Sequence, residues 1–231
     1  MIFNIHNASS ALGALSLGLL MTVFLTVICG ATSLVAGVFV ALAKMSNRRW
    51  LRAITGSYVT VVRSTPLLVQ LIFIYYALPF VGIRLNPLSA AYIGLSLNVT
   101  AYLSEVYRGG IEAVPKGQRD AAAALGMKSS VAMRRVIFPQ ALRTLIPTLG
   151  NYIVSLFKDT SLASVVTIQE LMFKGQIVAA QNYDYMTIYA MVFLLYLAVG
   201  YPSIRFVTYL EKRMKNGYAV KKASKSKVEV A

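Results

Sequence analysis

Three charged side chains interrupt stretches of this sequence that are otherwise almost free of charge: Arg63, Lys158 and Asp159. A guanidinium, an ammonium and a carboxylate set among apolar residues can hold a small ion or zwitterion, or pair with one another. A charge at the centre of a bilayer costs about 2.5–3.5 kcal/mol on insertion scales, so such groups face a cavity or a partner rather than lipid. All three are candidates for the path of a polar solute. Each also has a plainer reading. Arg63 follows Arg52 by 11 residues and could snorkel to the end of its segment. Lys158 and Asp159 could cap a helix end as an ion pair, and as sequence neighbours they cannot both face one cavity. Tyr152 lies seven residues, about two helical turns, before Asp159 and shares its face. Its ring and hydroxyl suit either a solute or the membrane interface.

Other chemistries are closed off. The single Cys29 has no partner for a disulfide, and the single His6 cannot build a metal site alone. The metalloprotease, serine-hydrolase and phosphate-loop patterns are all missing, so no motif gives this chain the means to hydrolyse ATP. An enzyme would need a convergent set of acid, base and nucleophile, yet the chain has only 8 acidic residues, most of them in polar loops.

The elements that must position these residues follow from hydropathy and charge. The 231 residues are 57% hydrophobic and 13% charged, with a mean hydropathy of +0.63. Such values exclude an ordinary soluble domain. Before Lys44 the only side chain that could carry a charge near neutral pH is His6, and uncharged runs of 20 residues recur over 64–83, 85–104 and 185–204. At about 1.5 Å per residue each run covers roughly the 30 Å of a bilayer core. The expected fold is therefore all-α and polytopic, with five spans near 15–43, 60–80, 87–104, 144–168 and 185–208. The fourth must carry or end on Lys158–Asp159.

The net charge of +15 fits this topology rather than nucleic-acid binding. Lys44, Arg48, Arg49 and Arg52 follow the first span; Arg108, Lys116, Arg119, Lys128, Arg134, Arg135 and Arg143 lie in the loop 105–143; further lysines end the chain. The positive-inside bias puts all three clusters in the cytoplasm, hence N-out and C-in. No basic segment precedes the first apolar run, so a retained and translocated N-terminus is expected. Residues 1–214 form one membrane domain, and the basic tail 215–231 is expected to be disordered. Ser33, Gly37 and Ala41, four apart, predict a close helix contact. Pro66 and Pro147 predict local helix breaks whose carbonyls face a cavity.

Within the 105–143 loop, Pro115 precedes Lys116-Gly117-Gln118-Arg119-Asp120 and four alanines, and Gly126 follows. Proline at the start, alanines within and glycine after predict a short helix of about two turns. Its smooth alanine surface has little to pack in its own domain and could lie in a groove of a partner.

Asp120-Ala121-Ala122, three residues, Gly126, nine residues, then Val136-Ile137-Phe138-Pro139 resembles the EAA loop of ABC-importer permeases. Asp120, Val136 and Phe138 depart from that pattern conservatively. Two more segments resemble the polar amino-acid uptake branch of the family: Arg63-Ser64-Thr65-Pro66-Leu67-Leu68-Val69-Gln70 and Lys158-Asp159-Thr160-Ser161-Leu162. The resemblance implies a permease subunit of the bacterial inner membrane. It works as a dimer with the same or a related subunit, served by an extracytoplasmic solute-binding protein and a cytoplasmic ATPase dimer that binds the ATP–Mg. This chain holds no cofactor itself. Arg119, Asp120, Ala121, Ala122, Gly126 and Pro139 are then the coupling residues, and a bulky side chain at Ala122 is expected to uncouple transport without disturbing the fold. Arg63, Thr65, Gln70, Asn151, Tyr152, Asp159 and Thr160 are the solute-pathway candidates, with Arg63 suited to an α-carboxylate and Asp159 to an α-ammonium. Tyr152 stands where cationic amino-acid relatives often hold Glu, which favours a neutral zwitterion. Two alternatives act without an ATPase partner: a membrane-embedded enzyme using Asp159, Lys158 and Tyr152, and a secondary transporter, though the latter would more often show ten or more spans and internal repeats.

Overall fold

The computed structural model describes residues 4–228, with side chains as far as Met214. The described residues form helices joined by short connections: α1 (Ile5–Lys44), α2 (Arg49–Arg63), α3 (Leu67–Ile72), α4 (Pro87–Glu112), α5 (Lys116–Ala124), α6 (Ser129–Ala132), α7 (Phe138–Asp159), α8 (Leu171–Asn182) and α9 (Tyr185–Val228). Wide or tight turns extend two of them: Phe73–Ala77 and Leu78–Val81 after α3, Met133–Ile137 before α7, and Thr160–Val166 after it.

By length and apolarity, His6–Lys44 and Tyr185–Met214 can each cross a membrane; Arg49–Arg63 with Leu67–Val81 adds a third if a bent pair is one span. The other two expected spans, α4 and α7, have 26 and 22 residues and are more polar. The physical reason lies in their position. Asn98, Thr100 and Ser104 of α4 are buried inside the bundle, so that helix need not match lipid.

Most helices reach beyond the spans expected within them. The first helix starts at Ile5 rather than near 15, because Asn4 caps it by accepting from the His6 and Asn7 amides at 3.0 and 3.3 Å. Its first turns are tied to α9 through Asn7 Nδ2 to Asp184 Oδ2 (2.9 Å) and the Asn4 amide to Thr187 Oγ1 (3.0 Å). The third helix runs on to Glu112 because nothing breaks it before Pro115. The fourth ends on Asp159 and tightens into a 3-10 turn, so the charged pair does terminate it. Helix α8, in the stretch between the fourth and fifth expected spans, is capped by the Glu170 carboxylate. The last helix is continuous from Tyr185 through Pro202 to Val228, past the expected span end at 208. Side chains beyond Met214 and residues 229–231 lie outside the described part.

The second expected span is the largest departure. It is not one straight helix over 60–80 but two pieces bent by 106°. Pro66 has no amide hydrogen, and its ring pushes Thr65 out of the helical region. Carbonyls at the break are taken up by a nearby side chain. Gln70 Nε2 donates to Val62 O at 2.7 Å and to Thr65 O at 3.0 Å, bridging the break. Pro147, by contrast, breaks nothing: it is buried within a continuous α7.

The predicted close contact is present where α1 crosses α4. Ser33 Oγ donates to Ser96 O at 3.1 Å, Ala41 is buried, and a Cβ on Gly37 would stand 3.0 Å from that of Leu103. Two turns beyond Leu103 on the same side of α4, a Cβ on Gly110 would meet Leu145 Cδ2 of α7. Small residues thus let α1 and α7 pack closely along one side of α4, and the main apolar cluster (Leu25, Leu71, Leu95, Leu103, Leu145, Leu156) lies among these helices and α3.

Candidate functional site

A cleft of about 250 Å³ opens where the α2–α3 break meets α4 and α7. Thr65, Pro66 and Leu67 come from the break, Asn98, Val99 and Tyr102 from α4, Tyr152, Ser155 and Asp159 from α7, and Leu162 from the turn beyond. Asp159 is the acid in this lining. Arg63 lies one ring away: its guanidinium carbon is 5.4 Å from the centre of the Tyr102 ring, which is itself 6.1 Å from that of Tyr152. Arg63 also approaches Glu105, with Nη1 3.8 Å from Oε2. The cleft therefore offers a carboxylate, two phenol rings, an amide and a hydroxyl, with a guanidinium at its border. That inventory suits a small zwitterion: the carboxylate can hold an ammonium, the guanidinium a carboxylate, and the rings an apolar or cationic side group.

The sequence-derived candidates divide. Thr65, Tyr152 and Asp159 line the cleft and Arg63 borders it. Gln70 is committed to the helix break and to Asn98, whose Nδ2 donates to Gln70 Oε1 at 3.1 Å. Thr160 is fully buried and its hydroxyl donates to Phe157 O at 2.7 Å, so it turns away. Asn151 is exposed and stands outside the lining. Lys158 points the other way from Asp159, as helical neighbours must, onto a larger apolar groove of about 580 Å³ between α7, α8 and α9. Sequence reasoning missed Asn98, Tyr102 and Ser155. The signal was there for two of them: Asn98 and Tyr102 are four apart, one turn along a face of an otherwise apolar helix.

At the other end of α4, the short helix predicted after Pro115 is α5, Lys116–Ala124. Gly126, at φ +70°, takes the left-handed conformation that ends it. Its amide donates to Ala123 O at 2.9 Å and that of Met127 to Ala122 O at 3.1 Å, the paired bonds of a glycine-terminated helix. Nothing lies near a Cβ built on Gly126, so within this chain its role is backbone conformation rather than close approach. Ala122 also differs from expectation. It is 2% exposed and faces its own loop, because α5 packs on α6 and the turn before α7. A bulky residue there would disturb the fold itself. The outward surface is Asp120, Ala121, Ala123, Ala124 and Leu125, the last 80% exposed. Arg119 ties α5 back to α4, with Nη2 donating to Ile111 O at 3.0 Å, and Gln140 Nε2 to Gln118 Oε1 (3.0 Å) ties it to α7, whose Pro139 is exposed.

The sequence and the α-helical frame that carries these two features are similar to those of known proteins. Residues 33–216 fit the family model of the binding-protein-dependent transport system inner membrane component. The chain belongs to this family. It is 35% identical over 212 residues to the "Probable amino-acid ABC transporter permease protein YckA" of Bacillus subtilis (strain 168), covering 92% of this chain and 94% of that protein. It is 45% identical over 170 residues to the L-cystine transport system permease protein TcyB of the same organism, covering 74% and 73%. Among solved structures, an amino acid ABC transporter crystallised with histidines superposes with a TM-score of 0.87 at 33% identity, over 92% of this chain and all of that one. The chain is thus an inner-membrane transport subunit and not an enzyme; ATP hydrolysis lies with a separate ATPase, and a solute-binding protein completes the system.

Proposed function

We propose that this permease carries a polar amino acid or related zwitterion through the cleft at the α2–α3 break, and that α5 couples it to the ATPase. The observation that carries the reading is Asp159 in the cleft wall with Arg63 at its border, two opposite charges flanking the rings of Tyr102 and Tyr152. Relatives named for amino acids, cystine among them, support the class of cargo. Five spans, N-out and C-in, account for the basic clusters, with α2–α3 as a broken second span. Two such subunits, the same or related, are needed to enclose the path, since the cleft of one chain is open to its surroundings. The ATP–Mg is bound by the ATPase alone. Closure of that ATPase would press on Ala121, Ala124 and Leu125 and move α4 and α7, to which α5 is tied by Arg119 and Gln118, as one lever.

The test is uptake into proteoliposomes holding the permease, its ATPase and its solute-binding protein, with each of the common L-amino acids offered in turn. ATP-dependent uptake of at least one, abolished by Asp159→Ala in protein that still folds, is the expected result. ATP-dependent uptake of none would refute the reading.

A further inference from the structure

Glu105 plays no part in that reading, yet basic side chains from three helices converge on it. Lys44, the last residue of α1, donates to Oε1 at 2.5 Å. Arg108, on its own helix, donates to Oε2 from Nη2 at 2.8 Å and from Nε at 3.3 Å. Arg63, the last residue of α2, is held differently. Its Nη1 is 3.8 Å from the same Oε2, beyond hydrogen-bond range, while its guanidinium lies over Tyr102. The Arg63 side chain is 44% exposed and that of Glu105 only 16%. Arg63 thus stands at a fork between an ion cluster and a wall of the cleft, and its planar set of donors is closed on neither.

We infer that Glu105 is a positioning residue that competes with the carboxylate of the transported solute for Arg63. The inference rests on the cleft being the amino-acid path. A bidentate guanidinium–carboxylate pair is stronger than a single contact at 3.8 Å, so a solute carboxylate can take Arg63 from Glu105. The exchange strands no charge. Glu105 keeps Lys44 and Arg108 when Arg63 leaves, and Arg63 without solute keeps Glu105 and the face of Tyr102. Glu105 therefore sets how tightly the empty site grips a solute without touching it.

The test is equilibrium dialysis of the radiolabelled L-amino acid with the highest uptake in the panel above, against the purified permease–ATPase complex without binding protein. Arg63→Gln is expected to weaken binding about tenfold, the loss of a charge-assisted hydrogen bond. Glu105→Gln should tighten it by roughly three- to fivefold, the strength of a half-exposed ion contact. The double variant should bind like Arg63→Gln alone, which a purely structural role for Glu105 would not produce. Glu105→Asp retains the charge but withdraws it, and should tighten binding in the same direction if Glu105→Gln fails to fold. Weaker or unchanged binding in the Glu105 variants, or tightening that persists without Arg63, would overturn the inference. Uptake of no amino acid by the wild type would remove the reading of the cleft and this inference with it, whereas uptake without tightening sinks the inference alone.

Discussion

Glu170 is fully buried and near no basic side chain that pairs with it among the described residues, and its removal should be the most damaging single truncation outside the cleft. Its Oε1 accepts from the Phe173 amide at 2.8 Å; Oε2 accepts from the Met172 amide at 2.8 Å and from the Tyr196 hydroxyl at 3.0 Å. The adjacent Leu171 amide donates to Thr22 Oγ1 of α1 at 3.1 Å. One carboxylate thus caps α8 and ties it to α9, beside a bond that ties it to α1. In Glu170→Ala the cap is lost, about 1 kcal/mol. Buried donors are also left without acceptors at about 1–3 kcal/mol each, and water relieves some of them. A loss of about 3 kcal/mol in unfolding free energy is the working value. Glu170→Gln keeps one acceptor oxygen and should fall between wild type and Ala. Reversible unfolding of the purified subunit in mixed detergent–SDS micelles, followed by tyrosine fluorescence, reads the difference. Tyr196→Phe supplies a cycle: combined with Glu170→Ala it should cost less than the two changes made separately. A Glu170→Ala subunit within about 1 kcal/mol of wild type would refute the view that this carboxylate holds the three helices together.

Two further outcomes follow from the packing. Gly110→Ala should destabilise the subunit by about 1–3 kcal/mol in the same unfolding assay, because its Cβ would enter the space of Leu145, and Leu145→Ala in the same chain should recover part of the loss. Ala121→Trp and Ala122→Trp should separate function from fold: the exposed Ala121 variant is expected to unfold like wild type yet lose solute-stimulated ATP hydrolysis with its partner, whereas the buried Ala122 variant should lose about 1–3 kcal/mol of stability in the isolated subunit.

How far the sequence reached differs from element to element. Hydropathy alone located α1 and the membrane part of α9, because both are apolar along most of their length. It handled α4 less well. Asn98, Thr100 and Ser104 are satisfied by burial against other helices, and a buried membrane helix gives up the lipid-like composition that makes a span legible. Helix α5 was legible as a short helix between Pro115 and Gly126, since these two residues and the alanines act locally. Its orientation was not: whether Ala121 or Ala122 faces outward depends on α6 and α7. Helix α8 went unseen because its start signal is a glutamate, which reads as a loop residue until Tyr196 and the α8 amides are brought to it. The proline at position 66 announced a break, but the same residue type at 147 produced none, and only the surroundings tell them apart.

The sequence by itself determined that this chain is a membrane protein without catalytic equipment, where its basic clusters fall, and which short motifs mark the break, the coupling helix and the charged end of α7. Those are properties of composition, spacing and local backbone preference, complete within a few consecutive residues. The tertiary structure decided which candidates share a cleft. Gln70 and Thr160 spend their polar groups on the backbone, Asp159 and Tyr152 keep theirs for the cavity, and Tyr102 and Asn98 join from α4, each more than thirty residues in the chain from Thr65 and from Tyr152. A side chain is free to act on a solute only when its partners within the fold leave it unsatisfied, and those partners are set by contacts between distant helices.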